Sequence, residues 1–212
     1  FDVSGPGAEA LLDRLTANRL PRKQGGITLT HVLSENGRIE GEWTITRLGD
    51  DRFYVLSGAG TERMARDQLS LAAGADVEIS NVTDRYGMLV VAGPKSRDVL
   101  APLTDADLSN AGFRWLSGQE IEIAGIPVRA LRVNYVGELG WELHAPMADL
   151  ARLYDAIWAS GTEHGIADFG VQAVNSLRME KAYRGYAAEL TNEITLIEAD
   201  CQRFYAPDKG DF

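Results

Sequence analysis

Strand-borne carboxylates, one arginine on a largely apolar helix segment and one aromatic at a strand end are the residues in this chain placed to do chemistry. Glu42 and Glu142 lie in segments of alternating polarity. In residues 141–145, Trp141, Leu143 and Ala145 leave one face and Glu142 and His144 the other, because successive strand side chains point oppositely. A carboxylate on such a face accepts hydrogen bonds from N–H donors or takes up a proton. The same alternation is also the ordinary pattern of an antiparallel strand with one solvated face. Arg178 stands between Leu177 and Met179 in a segment that also carries Val171 and Val174. Its planar fork suits a carboxylate, whereas Glu180 and Arg184, four residues apart, suit a solvated helix face. Tyr135 falls at the end of a strand expected over 128–135.

Other motifs are missing. No Gly-x-Gly-x-x-Gly follows a strand, and Gly5-Pro6-Gly7 is too short for a phosphate loop. His31, His144 and His164 are scattered, with no HExxH arrangement, so no metal is expected. No Gly-x-Ser-x-Gly elbow is present. Cys201, the single cysteine, can build neither an internal disulfide nor a Cys-rich zinc site and fits a reducing compartment. The net charge of −10 excludes a general nucleic-acid binder, which needs a basic footprint. The 45% hydrophobic content is that of a globular protein. No apolar run approaches the ~20 residues of a membrane span, and the first ten residues lack a signal-peptide layout.

The elements that must position these residues come from a duplication. At an offset of 88, Val3, Gly5, Pro6, Leu12, Leu15, Thr16 and Leu20 meet Val91, Gly93, Pro94, Leu100, Leu103, Thr104 and Leu108. The register continues without a gap, placing Gly37 on Gly125, Ile45 on Val133, Gly49 on Gly137 and Phe53 on Trp141. Each copy reads as strand, helix, strands, helix. A helical stripe of Ala8, Leu11, Leu12 and Leu15 runs within 8–20. Strands are expected at 27–32, 39–47 and 52–57, with a tight turn at Gly49-Asp50-Asp51, and a helix at 61–72. The second copy gives a helix at 96–103, strands at 120–123, 128–135 and 141–145, and a helix carrying Leu150, Leu153, Tyr154, Ile157 and Trp158. Strands at 77–83 and 87–92 join the copies, and a further helix spans 170–182. The expected organisation is a first repeat at 1–84, a second at 85–169 and a connecting segment at 170–212. In this register Glu42 meets Ala130, Glu142 meets Tyr54 and Tyr135 meets Arg47, so all three mark places where the copies diverge.

Several stretches together resemble one family. Val133-Asn-Tyr-Val-Gly-Glu-Leu-Gly-Trp-Glu142 resembles the signature hairpin of the folate-binding aminomethyltransferases, the glycine-cleavage T-protein family. Val91-Ala-Gly-Pro94 resembles its Gly-Pro turn, and Gly37-Arg-Ile-Glu-Gly-Glu42 its glycine-led strand with an acidic residue. Asn175-Ser-Leu-Arg-Met-Glu-Lys181 and Ile197-Glu-Ala-Asp200 are similar to the branch found in dimethylglycine and sarcosine dehydrogenases or oxidases.

The resemblance implies an α+β fold of two pseudo-repeated α/β units around a central cavity that takes tetrahydrofolate. It also implies a C-terminal β domain beyond Lys209-Gly-Asp-Phe212, and FAD only where an N-terminal domain carries it. By the same resemblance Glu142 hydrogen-bonds the pterin, Tyr135 lies beside the folate and Arg178 holds a carboxylate of its glutamate tail. Glu42 stands where the family usually has aspartate close to the reacting nitrogens, one methylene longer. The implied chemistry is attack by folate N5 on a one-carbon unit from a small methylamine or aminomethyl donor. The resemblance also implies an FAD oxidoreductase domain or subunit as partner, in the cytoplasm or the mitochondrial matrix. A folate-binding module without chemistry, a regulator, and a folate-dependent demethylase are the alternatives on the same fold.

Overall fold

The computed structural model describes residues 1–210; Asp211 and Phe212, the end of the segment expected at 170–212, lie outside the described residues. The chain divides into two units. One comprises residues 1–82 with the segment from 184 onward, and the other comprises residues 83–183. The helix expected with the C-terminal segment thus lies with the second unit, and the chain after Tyr183 returns to the first.

The first unit holds β1 (Asp2–Ser4), α1 (Ala8–Leu15), β2 (Ile27–Leu33), β3 (Ile39–Gly49), β4 (Arg52–Ser57), α2 (Glu62–Ala72) and β5 (Glu78–Ser80). Its antiparallel sheet has the order β2-β3-β4-β1-β5. The helices cover one face, and Val3, Leu12, Trp43, Ile45, Phe53 and Leu69 form the core. Truncating any of the larger of these to alanine should cost about 2–5 kcal/mol. Gly5 makes the turn into α1 at φ +112°, where an added Cβ would lie 2.2 Å from the Asp76 carbonyl oxygen. The helix stops at Leu15, short of residue 20, because the next polar side chains find other backbone partners. Thr16 Oγ1 donates back to the Leu12 carbonyl, and Asn18 Nδ2 donates to the Leu29 carbonyl on β2. Such local bonds compete with helix continuation.

The second unit repeats the plan with β6 (Tyr86–Ala92), α3 (Ser96–Leu100), β7 (Gly118–Ile123), β8 (Ile126–Leu131), β9 (Gly140–Pro146) and α4 (Leu150–Gly161), then adds α5 (Val171–Glu180). Its sheet order is β6-β9-β8-β7, the order of the first sheet without β5. Val3 faces Phe53 in one unit, and Val91 faces Trp141 in the other, 88 residues on.

The gap-free register does not survive the inner hairpin. Ile45 faces Val55, but Leu143, the mate of Val55, faces Ala130 rather than Val133. Ala130 therefore corresponds in the sheet to Ile45 and not to Glu42, a slip of three residues. The slip is taken up after Leu131, where β8 ends instead of running to Tyr135. Asn134 Oδ1 accepts the backbone N–H groups of Val136 and Gly137, and its Nδ2 donates to the Glu138 carbonyl. This asparagine-centred turn, with Gly137 at φ +74°, satisfies the backbone in place of a strand ladder. Tyr135 consequently rides on a loop. Among the described residues no helix is long and apolar enough to cross a membrane.

Candidate functional site

Glu42 lies on β3 directly opposite His31 on β2. Residues facing each other across antiparallel strands share a sheet face, so the carboxylate meets the imidazole, with Nε2 3.2 Å from Glu42 Oε2. His31 is fully buried and the Glu42 side chain is 24% exposed. Two residues of the returning segment lie within electrostatic reach of the same carboxylate. Burial pushes the Cys201 thiol and the Tyr186 phenol above their ordinary pKa values, and the negative charge of Glu42 adds to both effects. The Tyr186 hydroxyl donates to the Glu40 carbonyl 2.7 Å away. This face is therefore not the solvated one that alternation alone allows. It holds a carboxylate that is mostly withdrawn from water.

Glu142 on β9 faces Leu131 on β8 and Val90 on β6. Its side chain is 19% exposed, and His144, two residues on and on the same face, is buried with Nε2 3.7 Å from Glu142 Oε2. That face also carries Arg129, buried opposite His144, with its guanidinium over the Tyr86 ring and 3.4 Å from Glu120. The opposite face, with Trp141, Leu143 and Ala145, is core. Glu142 takes the place of Tyr54 in the duplication, and this correspondence holds in the sheet because β4 and β9 keep the offset of 88.

Tyr135 and Arg178 meet in the second unit. The Tyr135 ring stacks on Tyr183, with centroids 6.5 Å apart and planes at 22°. The Arg178 guanidinium lies 6.0 Å from the Tyr135 centroid, within reach of the ring's negative face. Arg178 is buried. Its Nε and Nη2 donate to Asn175 Oδ1 at 2.9 and 2.6 Å, and its Nη1 donates to the Tyr183 carbonyl at 2.8 Å. The guanidinium thus fastens the end of α5 to the Tyr183 turn and holds a positive charge beside an exposed aromatic ring.

His31, His144, Asn175 and Tyr183 were not legible as site residues. A histidine on the polar side of an alternating strand carries no mark of burial. Asn175 had a faint signal, since it precedes Arg178 by three and so shares its helix face. A separate cleft of about 670 Å³ in the second unit runs along edge strand β6 and α4, past Tyr154, Trp158 and Phe169. None of the sequence-predicted residues lines it, and its walls are mainly apolar. The convergent acid–base groups lie instead at the two carboxylates.

Comparison with known proteins agrees with this architecture. The model described as the GCVT N-terminal domain matches residues 1–209. Dimethylglycine dehydrogenase, mitochondrial, of Mus musculus is 41% identical over 212 residues, covering 99% of this chain and 24% of the relative. Aminomethyltransferase of Saccharopolyspora erythraea is 33% identical, covering 99% of this chain and 58% of the relative. The crystal structure of glycine cleavage system aminomethyltransferase T from Bartonella henselae superposes with a TM-score of 0.84 at 24% identity, over 98% of this chain and 55% of that one. At that identity the superposition establishes the fold. The chain spans about a quarter of the dehydrogenase and somewhat over half of the aminomethyltransferase. With 209 of its 212 residues matched, the chain belongs to the GCVT N-terminal domain family.

Proposed function

We propose that this chain binds a reduced folate and serves one-carbon transfer to it. The observation that carries the reading is Glu142: a carboxylate in the signature hairpin, mostly withdrawn from water and backed by a buried histidine. Carboxylate oxygens only accept hydrogen bonds, so the group matches the amino and ring N–H donors of a pterin. When bound, tetrahydrofolate would supply the nucleophilic nitrogen that receives the one-carbon unit. Tyr135 offers an aromatic face for the folate. Arg178 supplies local positive charge for the anionic tail, which a chain of net charge −10 needs at that point. Glu42 stabilises a cationic donor or accepts its proton.

The donor class we assign is a small oxidised methylamine, in keeping with relatives named dimethylglycine dehydrogenase and sarcosine dehydrogenase. Its oxidation, with FAD, belongs to a domain or subunit outside these residues, in the cytoplasm or the mitochondrial matrix. The test is folate-dependent transfer by Glu42→Gln. We expect kcat to fall at least ~100-fold, the usual scale for losing a general acid–base group, with tetrahydrofolate affinity unchanged. Wild-type turnover in that variant would contradict the role of Glu42, and binding without turnover in the wild type would make the chain a folate-holding module.

A further inference from the structure

We propose that His31 is the positioning residue for Glu42, holding its carboxylate through a neutral Nε2–H donor. The inference rests on the role proposed above for Glu42, but its geometry stands alone. His31 is fully buried on β2, opposite Glu42 in register. Its Nε2 lies 3.2 Å from Glu42 Oε2, while its Nδ1 has no hydrogen-bond partner among the described residues. The Phe204 ring packs against the imidazole, with centroids 5.9 Å apart and planes at 52°.

A buried N–H without an acceptor costs about 1–3 kcal/mol. A proton on Nδ1 would create such a group, whereas a proton on Nε2 points at a carboxylate. The arrangement therefore selects the tautomer with Nε2 protonated and Nδ1 bare. Two other polar groups within electrostatic reach of Glu42 do not supply that bond. The Tyr186 hydroxyl is spent on the Glu40 carbonyl, and the buried Cys201 thiol is a weak donor. With one oxygen fixed by His31, the longer glutamate side chain has a defined direction. That is what a chain carrying glutamate in place of aspartate requires, because a misplacement of about 1 Å can cost ~100-fold in rate.

Nitrogen-15 spectra of the histidine side chains test this on the chain without folate. The expected result is a His31 ring protonated on Nε2 at pH 7.5, with its Nε2–H resonance moved by Glu42→Gln while that of His164 stays in place. A proton on Nδ1, or a His31 signal indifferent to Glu42→Gln, would overturn the proposal. Kinetics give the second arm. His31→Gln keeps a donor near the Nε2 position and should retain most of kcat. His31→Leu, with folding verified by circular dichroism, should lose on the order of 100-fold in kcat with KM for tetrahydrofolate unchanged. Wild-type turnover in His31→Leu overturns positioning by His31 alone. Wild-type turnover in Glu42→Gln overturns the role of Glu42 itself.

Discussion

Replacing Lys209 by methionine should loosen the C-terminal segment from the rest of the first unit. The lysine side chain is 3% exposed. Its ammonium donates to the backbone carbonyls of Asp13, Thr16 and Asn18 and sits 3.2 Å from the Asp13 carboxylate. These carbonyls lie at and just beyond the end of α1, where the last turn lacks intrahelical partners. Methionine keeps the apolar stem and removes all three bonds. At about 1 kcal/mol for each hydrogen bond the loss is about 3 kcal/mol, and the missing cation at a helix C-terminus adds about 0.5 kcal/mol. Burial pushes the Lys209 pKa down, so its removal also relieves desolvation, which offsets part of that loss. The net cost is about 2–3 kcal/mol, or roughly 4–12 °C in Tm for a chain of this size. Urea unfolding followed by tryptophan fluorescence reads the total. Hydrogen exchange at Ala206, whose N–H bonds the Ala17 carbonyl, reads the local release. A variant within about 0.5 kcal/mol of wild type, with Ala206 exchange unchanged, would refute the reasoning.

Gly140→Ala should destabilise the second unit by about 1–3 kcal/mol, since the new Cβ would lie 2.5 Å from the Val91 carbonyl oxygen and 2.9 Å from the Ala92 Cα, both backbone atoms of the paired strand. Gly60→Ala, where nothing stands within 4 Å, is the control, and equal melting temperatures for the two variants would contradict the packing argument. Three exposed carboxylates are held below the usual carboxylate range: Asp107 by the Ser109 backbone N–H, Glu198 by the Thr195 backbone N–H, and Asp208 by the Arg19 side chain. Because the unfolded chain binds more protons at these sites, their contribution is present above about pH 4 and lost as the pH falls through the lower folded values. The urea midpoint should therefore hold from pH 7 to 5 and drop by pH 3, and an unchanged midpoint at pH 3 would count against these bonds.

Much of the fold was legible because the duplication repeats the hardest constraints. A strand, a glycine at positive φ and a proline before a helix recur at Gly5 and Gly93 for the same steric reason. The alternation of Trp141, Leu143 and Ala145 fixed the core face of β9. What escaped was set by polar side chains that bond locally. Asn134 builds a turn where hydrophobic pattern suggests strand, and so shifts the inner hairpin by three residues. Thr16 and Asn18 end α1 early for a related reason. The candidate site was legible in its acids but not in what surrounds them. Burial of His31 and His144 depends on packing over the second face of each sheet, and residue type alone does not report that packing. Arg178 was legible as a charge, but its bonds to Asn175 and Tyr183 depend on how the chain turns after α5.

The most direct measurement is calorimetric titration of tetrahydrofolate into the wild-type chain and into Glu142→Ala. Losing hydrogen bonds to a charged acceptor costs about 1.5–3 kcal/mol, so the variant should bind about 10- to 150-fold more weakly. Equal affinity for both proteins, or no binding to the wild type, would contradict the claim that this chain is a folate site built around Glu142.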